Sequence, residues 1–210
     1  MAGLSNRNSA IYLTISNGKI CRQLQNKSEK SVERANKNGK LVHEEFYDHL
    51  SGMLTNISVR EADVAGTKMK FWQLTVDADG VIYQLQFNYS SSYAASFLKA
   101  LPNADLTKQV TLAPFMKVEG DKKKTILFIT QNGKALKHAY TKDTPNGLPE
   151  LKKVRVKGAD IWDDTDMMDF LEKMVKETVL PQLKSSSTNQ LTEPALASAG
   201  AVEDDGEMPF

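Results

Sequence analysis

Aromatic side chains close to lysines are the residues of this 210-residue chain whose types and spacing indicate chemistry most directly. A single strand of nucleic acid is held by cations on its phosphates and by rings that stack on its bases. Alternation along the predicted strands places Phe71 on a polar face near two lysines. The candidate residues for binding such a strand are Lys68, Lys70, Phe71, Tyr89, Phe115, Lys117, Lys122, Lys123, Lys124, Lys134, Lys137, Tyr140 and Lys142. Trp72 and Trp162 are assigned to the core instead.

The last eight residues form a second feature with chemical meaning. Acids would be attracted to a basic rim, and a terminal Phe would fill an apolar pocket while its α-carboxylate pairs with an Arg or Lys. We therefore predict that this tip binds a protein partner. Its residues are Glu203, Asp204, Asp205, Glu207, Met208, Pro209 and Phe210.

This terminus resembles the tip of bacterial single-stranded DNA-binding proteins, which ends in several aspartates followed by Ile-Pro-Phe. Met208-Pro209-Phe210 match that ending with Met in place of Ile. The whole layout is similar to that of phage-encoded single-stranded DNA-binding proteins, which have an OB-fold body, a helix and an acidic tail. The resemblance implies that the tail recruits replication, recombination and repair proteins and competes with DNA for the binding groove. The first 45 residues and the tail linker depart from the bacterial pattern, which favours a phage or mobile-element relative.

Charge is distributed unevenly along the chain. Residues 1–158 hold 24 basic and 14 acidic residues, residues 159–184 hold three lysines and seven acids, and residues 185–210 hold five acids and no Lys or Arg. The three parts therefore carry +10, −4 and −5. We expect the basic part to attract polyanions and the tail to repel them or compete with them.

The other chemistry-bearing residues do not form a known catalytic or metal-binding pattern. His43, His49 and His138 lack ligand or triad spacing, and neither G-x-S-x-G nor H-E-x-x-H occurs. The acids between Asp160 and Asp169 lack the spacing of a calcium-binding loop and are explained by capping of a helix. We therefore predict that the protein is not an enzyme and uses no cofactor or metal.

The compartment is predicted from what the chain lacks. One cysteine, Cys21, excludes a disulfide framework and a Cys-rich zinc site. No apolar run is long enough to span a membrane, and the N-terminus has no signal-peptide pattern. We expect a cytoplasmic protein, in a bacterial cell or in a phage host, that does not bind membranes.

Turn signals and alternating runs predict mainly β-structure. Asn-Gly and Asp-Gly pairs mark hairpin turns, and a glycine inside a long strand marks a bend. The predicted elements are a hairpin at 11–25, a polar basic loop at 26–40, a strand at 45–61 bent at Gly52, strands at 68–77 and 81–90, a short helix at 91–101 capped by Ser92, strands at 109–118, 124–130, 135–140 and 151–157, and a helix at 163–180 stopped by Pro181.

This order fits an OB-fold-like Greek-key barrel of five or six strands with a short helix, and a β-sandwich is the second choice. The predicted organisation is a basic body at 1–158, an amphipathic helix packed on it at 159–184, and a disordered acidic tail at 185–210. We expect the protein to bind single-stranded DNA without strong sequence preference and to recruit replication proteins through its tip. The alternatives are a protein–protein adaptor, or a DNA-annealing protein or transcription modulator, with a merely solubilising tail. The sequence leaves open whether the protein is a homo-oligomer.

Overall fold

The computed structural model describes residues 10–36, 39–64, 66–120, 122–156 and 159–189. Its strands are β1 (Ile11–Ser16), β2 (Lys19–Leu24), β3 (Val32–Ala35), β4 (Leu41–Tyr47), β5 (Leu50–Val64), β6 (Thr67–Ala78), β7 (Val81–Asn88), β8 (Val110–Glu119), β9 (Lys122–Gln131), β10 (Lys134–Ala135), β11 (Lys152–Val156) and β12 (Ala159–Asp163). Its helical segments are α1 (Ser92–Ala100), a 3₁₀ turn (Leu101–Asn103), α2 (Thr165–Met174), a π-helical turn (Val175–Val179) and α3 (Leu180–Asn189).

Within these residues ten strands form one large mixed sheet, in the order β10-β9-β8-β5-β6-β7-β1-β2-β4-β3. Neighbours are antiparallel except β1 and β7, which run parallel with Ile11 opposite Tyr83. The prediction of a mainly β protein is confirmed. The barrel is not confirmed, because the sheet is open: β10 and β3 lie at its two ends and are not paired with each other in the described part of the chain.

Two glycines allow close approaches between strands. A Cβ on Gly52 would lie 2.5 Å from the carbonyl oxygen of Asp77, so β5 passes over the end of β6 only because this position has no side chain. A Cβ on Gly18 would lie 2.7 Å from the backbone nitrogen of Met116. The β1–β2 turn therefore packs against β8, although neither β1 nor β2 is hydrogen-bonded to β8 in the sheet.

The hydrophobic core lies between one face of the sheet and the helices. Strands β6 and β7 contribute Trp72, Leu74 and Leu85, each at most 1% exposed. Phe97 and Leu98 of α1 are fully buried in the same cluster. In the segment predicted as an amphipathic helix, α2, the π-helical turn and α3 add a buried stripe at helical spacing: Met167, Met168, Leu171, Val175, Val179 and Leu183. No helix of the described residues is long and apolar enough to cross a membrane.

The predicted loop at 26–40 contains a strand. Val32–Ala35 forms β3, which pairs with the outer edge of β4 although all four of its residues are exposed. The pairing is reinforced by Arg34, which donates two hydrogen bonds to the buried carboxylate of Glu44. A strand at the edge of a sheet can be polar on both faces, so the absence of an apolar alternation did not exclude it.

The segment after β9 also differs from the prediction. Of the expected strand at 135–140 only Ala135 pairs; it belongs to β10 (Lys134–Ala135), which is antiparallel to β9. The strand near 151–157 does not extend the large sheet; as β11 it pairs with β12 in a separate two-stranded sheet. Trp162, which was assigned to the core, lies on this hairpin and is 66% exposed.

The helices differ from the prediction at their ends. Ser91, not Ser92, caps α1, because its Oγ accepts a hydrogen bond from the Ala94 N–H. Pro181 does not stop the C-terminal helix, which continues to Asn189 and past the predicted boundary at 184/185. The preceding turn widens, with the Leu180 N–H bonded to the Val175 carbonyl. Pro181 then lies in the first turn of α3, where its missing N–H costs least.

Candidate functional site

One face of the β8–β9 hairpin combines exposed rings with lysines. In an antiparallel pair, alternate residues of both strands share a face. The register opposes Phe115 to Ile126 and Ala113 to Phe128, so the two phenylalanines lie diagonally on the same face. Lys117 and Lys124 are directly opposed one step further along, and Lys122 follows them. We call this set, Phe115, Phe128, Lys117, Lys122 and Lys124, the hairpin face.

The two rings of the hairpin face are open to solvent. Phe115 is 48% exposed and Phe128 is 37% exposed. Their centroids are 6.3 Å apart and the ring planes are inclined by 53°. Exposed neighbouring rings of this kind offer apolar surface on which planar groups can stack.

The lysines of the hairpin face surround a single carboxylate. Glu119 accepts from Lys117 at 3.0 Å and from Lys124 at 2.5 Å. Hydrogen bonds from Lys124 and then Lys117 lower the pKa of Glu119, so it remains ionised at neutral pH. Two exposed lysines therefore share one negative charge, and Lys122 forms no ion pair with any described residue. The face is cationic overall.

Other predicted binding residues lie near the hairpin face but not on it. Lys123 opposes Val118 and so belongs to the other face of the hairpin. Lys134 is exposed on β10, the edge strand beside β9. Lys137 and Lys142 are exposed in the irregular segment that follows. Tyr140 is half-buried there, with its ring edge-to-face against Phe170 at 5.7 Å.

The remaining predicted residues lie in a region where the rings are covered. Tyr89 is 9% exposed, and its ring stacks on Trp72 with centroids 5.5 Å apart and planes 4° apart. Its hydroxyl donates to Glu172 of α2 at 2.6 Å, and Lys70 lies over its ring with Nζ 5.4 Å from the centroid. Burial and then Glu172 raise the pKa of Tyr89 far above its usual value. We call Trp72, Tyr89, Lys70 and Glu172 the covered stack.

Phe71 and Lys68 lie on β6, the strand that also contains Lys70 and Trp72 of the covered stack. Phe71 is buried to 9% exposure, although alternation placed it on the polar side of β6. Lys68 is exposed near the β5–β6 turn, with its backbone opposite Asp63. Neither the Phe71 ring nor the Tyr89 ring therefore has a free face for stacking in this structure.

The sequence reasoning missed Phe128. It lies in the run KTILFIT, where apolar residues occupy both faces, so alternation alone does not separate exposed from buried positions. The signal that could have found it is the short turn between β8 and β9, since the register then places Phe128 diagonally from Phe115.

The described residues hold no group of three or more His, Cys, Asp or Glu that could bind a metal ion. The predicted partner-binding residues 203–210 lie outside the described residues. Comparisons with family models, with curated proteins and with solved structures found no significant match to this chain.

Proposed function

We propose that this protein binds single-stranded DNA without strong sequence preference and protects it during replication and recombination in the cytoplasm of a bacterial cell or phage host. The observation that carries the proposal is the hairpin face, in which two solvent-exposed rings adjoin lysines on one strand pair. Rings on a cationic surface are the elements that hold a single strand, because every base has a face that can stack.

The order of elements supports an OB-like reading of the body. Strands β5, β6 and β7 form a meander, α1 follows, and β8 and β9 form a hairpin. Strand β5 pairs with β6 along most of its length and with β8 at its start. In an OB-fold the turns that correspond to β5–β6 and β8–β9 flank the oligonucleotide site. Lys68 and the Lys122–Lys124 run lie beside those two turns.

The charge of the C-terminal segment supports a second part of the proposal. Residues 185–210 carry −5 and end in Met-Pro-Phe, which suits recruitment of replication proteins and competition with DNA for a cationic surface. Deletion of residues 203–210 should therefore tighten binding to single-stranded DNA, most at low salt. Unchanged or weaker affinity would refute the competition.

The proposal is tested with the double variant Phe115→Ala/Phe128→Ala and a fluorescently labelled (dT)30 strand. Stacking is worth about 1–3 kcal/mol per base, so loss of both rings should cost about 2–6 kcal/mol and weaken binding at least about 30-fold in anisotropy titrations. Phe46→Ala is the matched control, since Phe46 is also an exposed phenylalanine, at 38%, but lies on β4. It should leave the affinity within about twofold of wild type.

The same titrations decide between the proposal and its alternatives. A wild-type chain that binds duplex more tightly than (dT)30 would favour the annealing protein or transcription modulator. A chain that binds neither would favour the adaptor, for which the exposed phenylalanines would contact a protein. Equal affinity of the double variant and the wild type would remove the hairpin face from the proposal.

A further inference from the structure

A cavity of about 250 Å³ is lined by residues of β1, β2, β5 and β7 and of the ends of β4 and β6. Leu13, Ile20 and Leu50 form an apolar part of its lining and are at most 8% exposed. The rings of Tyr47 and Tyr83 also line it. Pockets for drug-sized ligands are about 300–1,000 Å³, so this cavity suits a smaller planar group.

A guanidinium and an imidazole lie among the cavity's lining residues. Arg22 of β2 and His49 of the β4–β5 connection both contribute to it. The two nearby carboxylates are already engaged: Glu45 accepts from the hydroxyls of Ser28 and Tyr47, and Asp48 is paired with Lys19 at 3.0 Å. The guanidinium of Arg22 lies close enough to Glu45 and to the Tyr47 hydroxyl to influence the pKa of both, but it forms no salt bridge within the described residues, so it can also bind an anion.

The cavity is connected to the hairpin face through β8. Ser51 lines the cavity, and its hydroxyl is hydrogen-bonded to Thr111 Oγ1 at 2.8 Å. Thr111 lies on the same side of β8 as Phe115, four residues away. At about 3.3 Å per residue, Thr111 and Phe115 are about 13 Å apart along β8. A few nucleotides of extended single-stranded DNA span this distance.

We propose that this cavity takes one base of a bound single strand, against the rings of Tyr47 and Tyr83, with an adjoining phosphate on Arg22 and His49. The inference rests on the proposed function and extends it from a surface that stacks bases to a built subsite. An apolar cavity with two rings suits the base, and a guanidinium at its edge suits the phosphate. The base belongs to the same DNA strand that, in the proposed function, binds the hairpin face.

The test compares Tyr47→Ala, Tyr47→Phe and Tyr12→Ala in the full chain, each titrated with (dT)30. Tyr47→Ala should weaken binding roughly 5- to 150-fold, and Tyr47→Phe, which keeps the ring, should bind like the wild type. Tyr12→Ala is the matched control, because Tyr12 is 61% exposed on β1 and does not line the cavity. It should leave the affinity within about twofold.

Two further measurements separate stacking from a general loss of structure. On a strand of abasic sites, wild type and Tyr47→Ala should bind equally, since no base remains to enter the cavity. The slope of log affinity against log salt is negative, and Arg22→Met should make it less steep by about 0.7, the contribution of one phosphate contact.

The outcomes distinguish the subsite from the proposed function. If wild type binds (dT)30 and Tyr47→Ala binds it equally well, the subsite is overturned and the proposed function stands. A loss in Tyr47→Phe as large as in Tyr47→Ala, or a loss that persists on the abasic strand, also overturns it. If wild type itself does not bind (dT)30, the proposed function fails.

Discussion

The hairpin face and the covered stack contain the same residue types in opposite settings. In both, aromatic rings lie next to a lysine on antiparallel strands. The rings of the hairpin face are between one third and one half exposed, whereas Trp72 and Tyr89 are 1% and 9% exposed. The difference comes from α2, which places Glu172 on the Tyr89 hydroxyl and near Lys70.

This comparison shows that neighbouring rings and lysines do not by themselves define a binding surface. A carboxylate from a covering helix turns such a group into part of the core, because it satisfies the hydroxyl and attracts the lysine. Where the nearest carboxylate belongs to the strand pair itself, as Glu119 does, the rings remain open. Variants in each region should therefore affect different measurements.

The largest expected effect is on stability, from Trp72→Ala. Removal of a fully buried tryptophan leaves a cavity and should lower the free energy of unfolding by about 3–5 kcal/mol. Phe115→Ala should change the same quantity by no more than about 0.5 kcal/mol, because its ring is half exposed. Urea denaturation of the two variants measures both. Similar losses in the two would mean that the hairpin face is also part of the core.

A smaller loss is expected from Tyr89→Phe. The hydrogen bond from the Tyr89 hydroxyl to the ionised Glu172 should contribute about 1.5–3 kcal/mol to the free energy of unfolding at pH 7. Binding to (dT)30 should not change, since the Tyr89 ring is covered. A clear loss of DNA affinity with unchanged stability would contradict the covered position of this ring.

The effect of Tyr89→Phe should also depend on pH. Burial opposes ionisation of Glu172, but the Lys176 and Tyr89 hydrogen bonds outweigh it and hold the pKa below its usual 4.5. A carboxyl with a lowered folded-state pKa stabilises the fold above its unfolded pKa and loses that contribution as pH falls through the folded value. The stability difference between Tyr89→Phe and wild type should therefore shrink below about pH 4.5, which urea denaturation at several pH values measures.

The exposed lysines should be visible in the salt dependence of DNA binding. Replacement of Lys122, Lys123 and Lys124 by Gln should make the negative slope of log affinity against log salt less steep by up to about 2, at about 0.7 per phosphate contact. Lys70→Gln is the matched control, because Lys70 faces the Tyr89 ring and Glu172. An equal loss of salt dependence for Lys70→Gln would mean that the DNA strand contacts the covered stack as well as the hairpin face.

The smallest expected effect is that of Glu119→Gln. It removes the one carboxylate that Lys117 and Lys124 share, so both become available for phosphates. Because the three side chains are exposed and screened by solvent, affinity for (dT)30 should rise only about two- to fivefold at low salt. The gain should vanish at high salt. A decrease in affinity would indicate that Glu119 positions the lysines productively.

Local chemistry made part of the fold predictable. The pairs Asn17-Gly18, Asp79-Gly80 and Asn132-Gly133 all adopt positive φ, as hairpin turns require. The long strand that contains Gly52, which changes its pairing partner from β8 to β6 after this residue, and the helix after residue 163 were also predictable from spacing. These features depend on a few adjacent residues, which is why a single sequence contains them.

Features set by distant parts of the chain were not predictable in this way. Alternation assigns Phe71 to one side of β6 but does not show whether anything lies over that side. The parallel pairing of β1 with β7 and the covering of Tyr89 by α2 join segments far apart in sequence. For this reason the predicted site residues separate into two groups: Phe115 and its lysines are exposed together, whereas Phe71 and Tyr89 are enclosed.

The parallel pairing of β1 with β7 has a consequence for how the chain acquires its structure during synthesis. Ile11 leaves the ribosome long before Tyr83, its partner, and at about 5–20 residues per second the interval is several seconds. During that time the β1–β2 hairpin has neither β7 beside it nor Met116 beneath its turn. The hairpin therefore cannot dock on β7 and β8 until the chain has been made at least to Met116, and the chain should fold slowly for its size because this contact is so non-local.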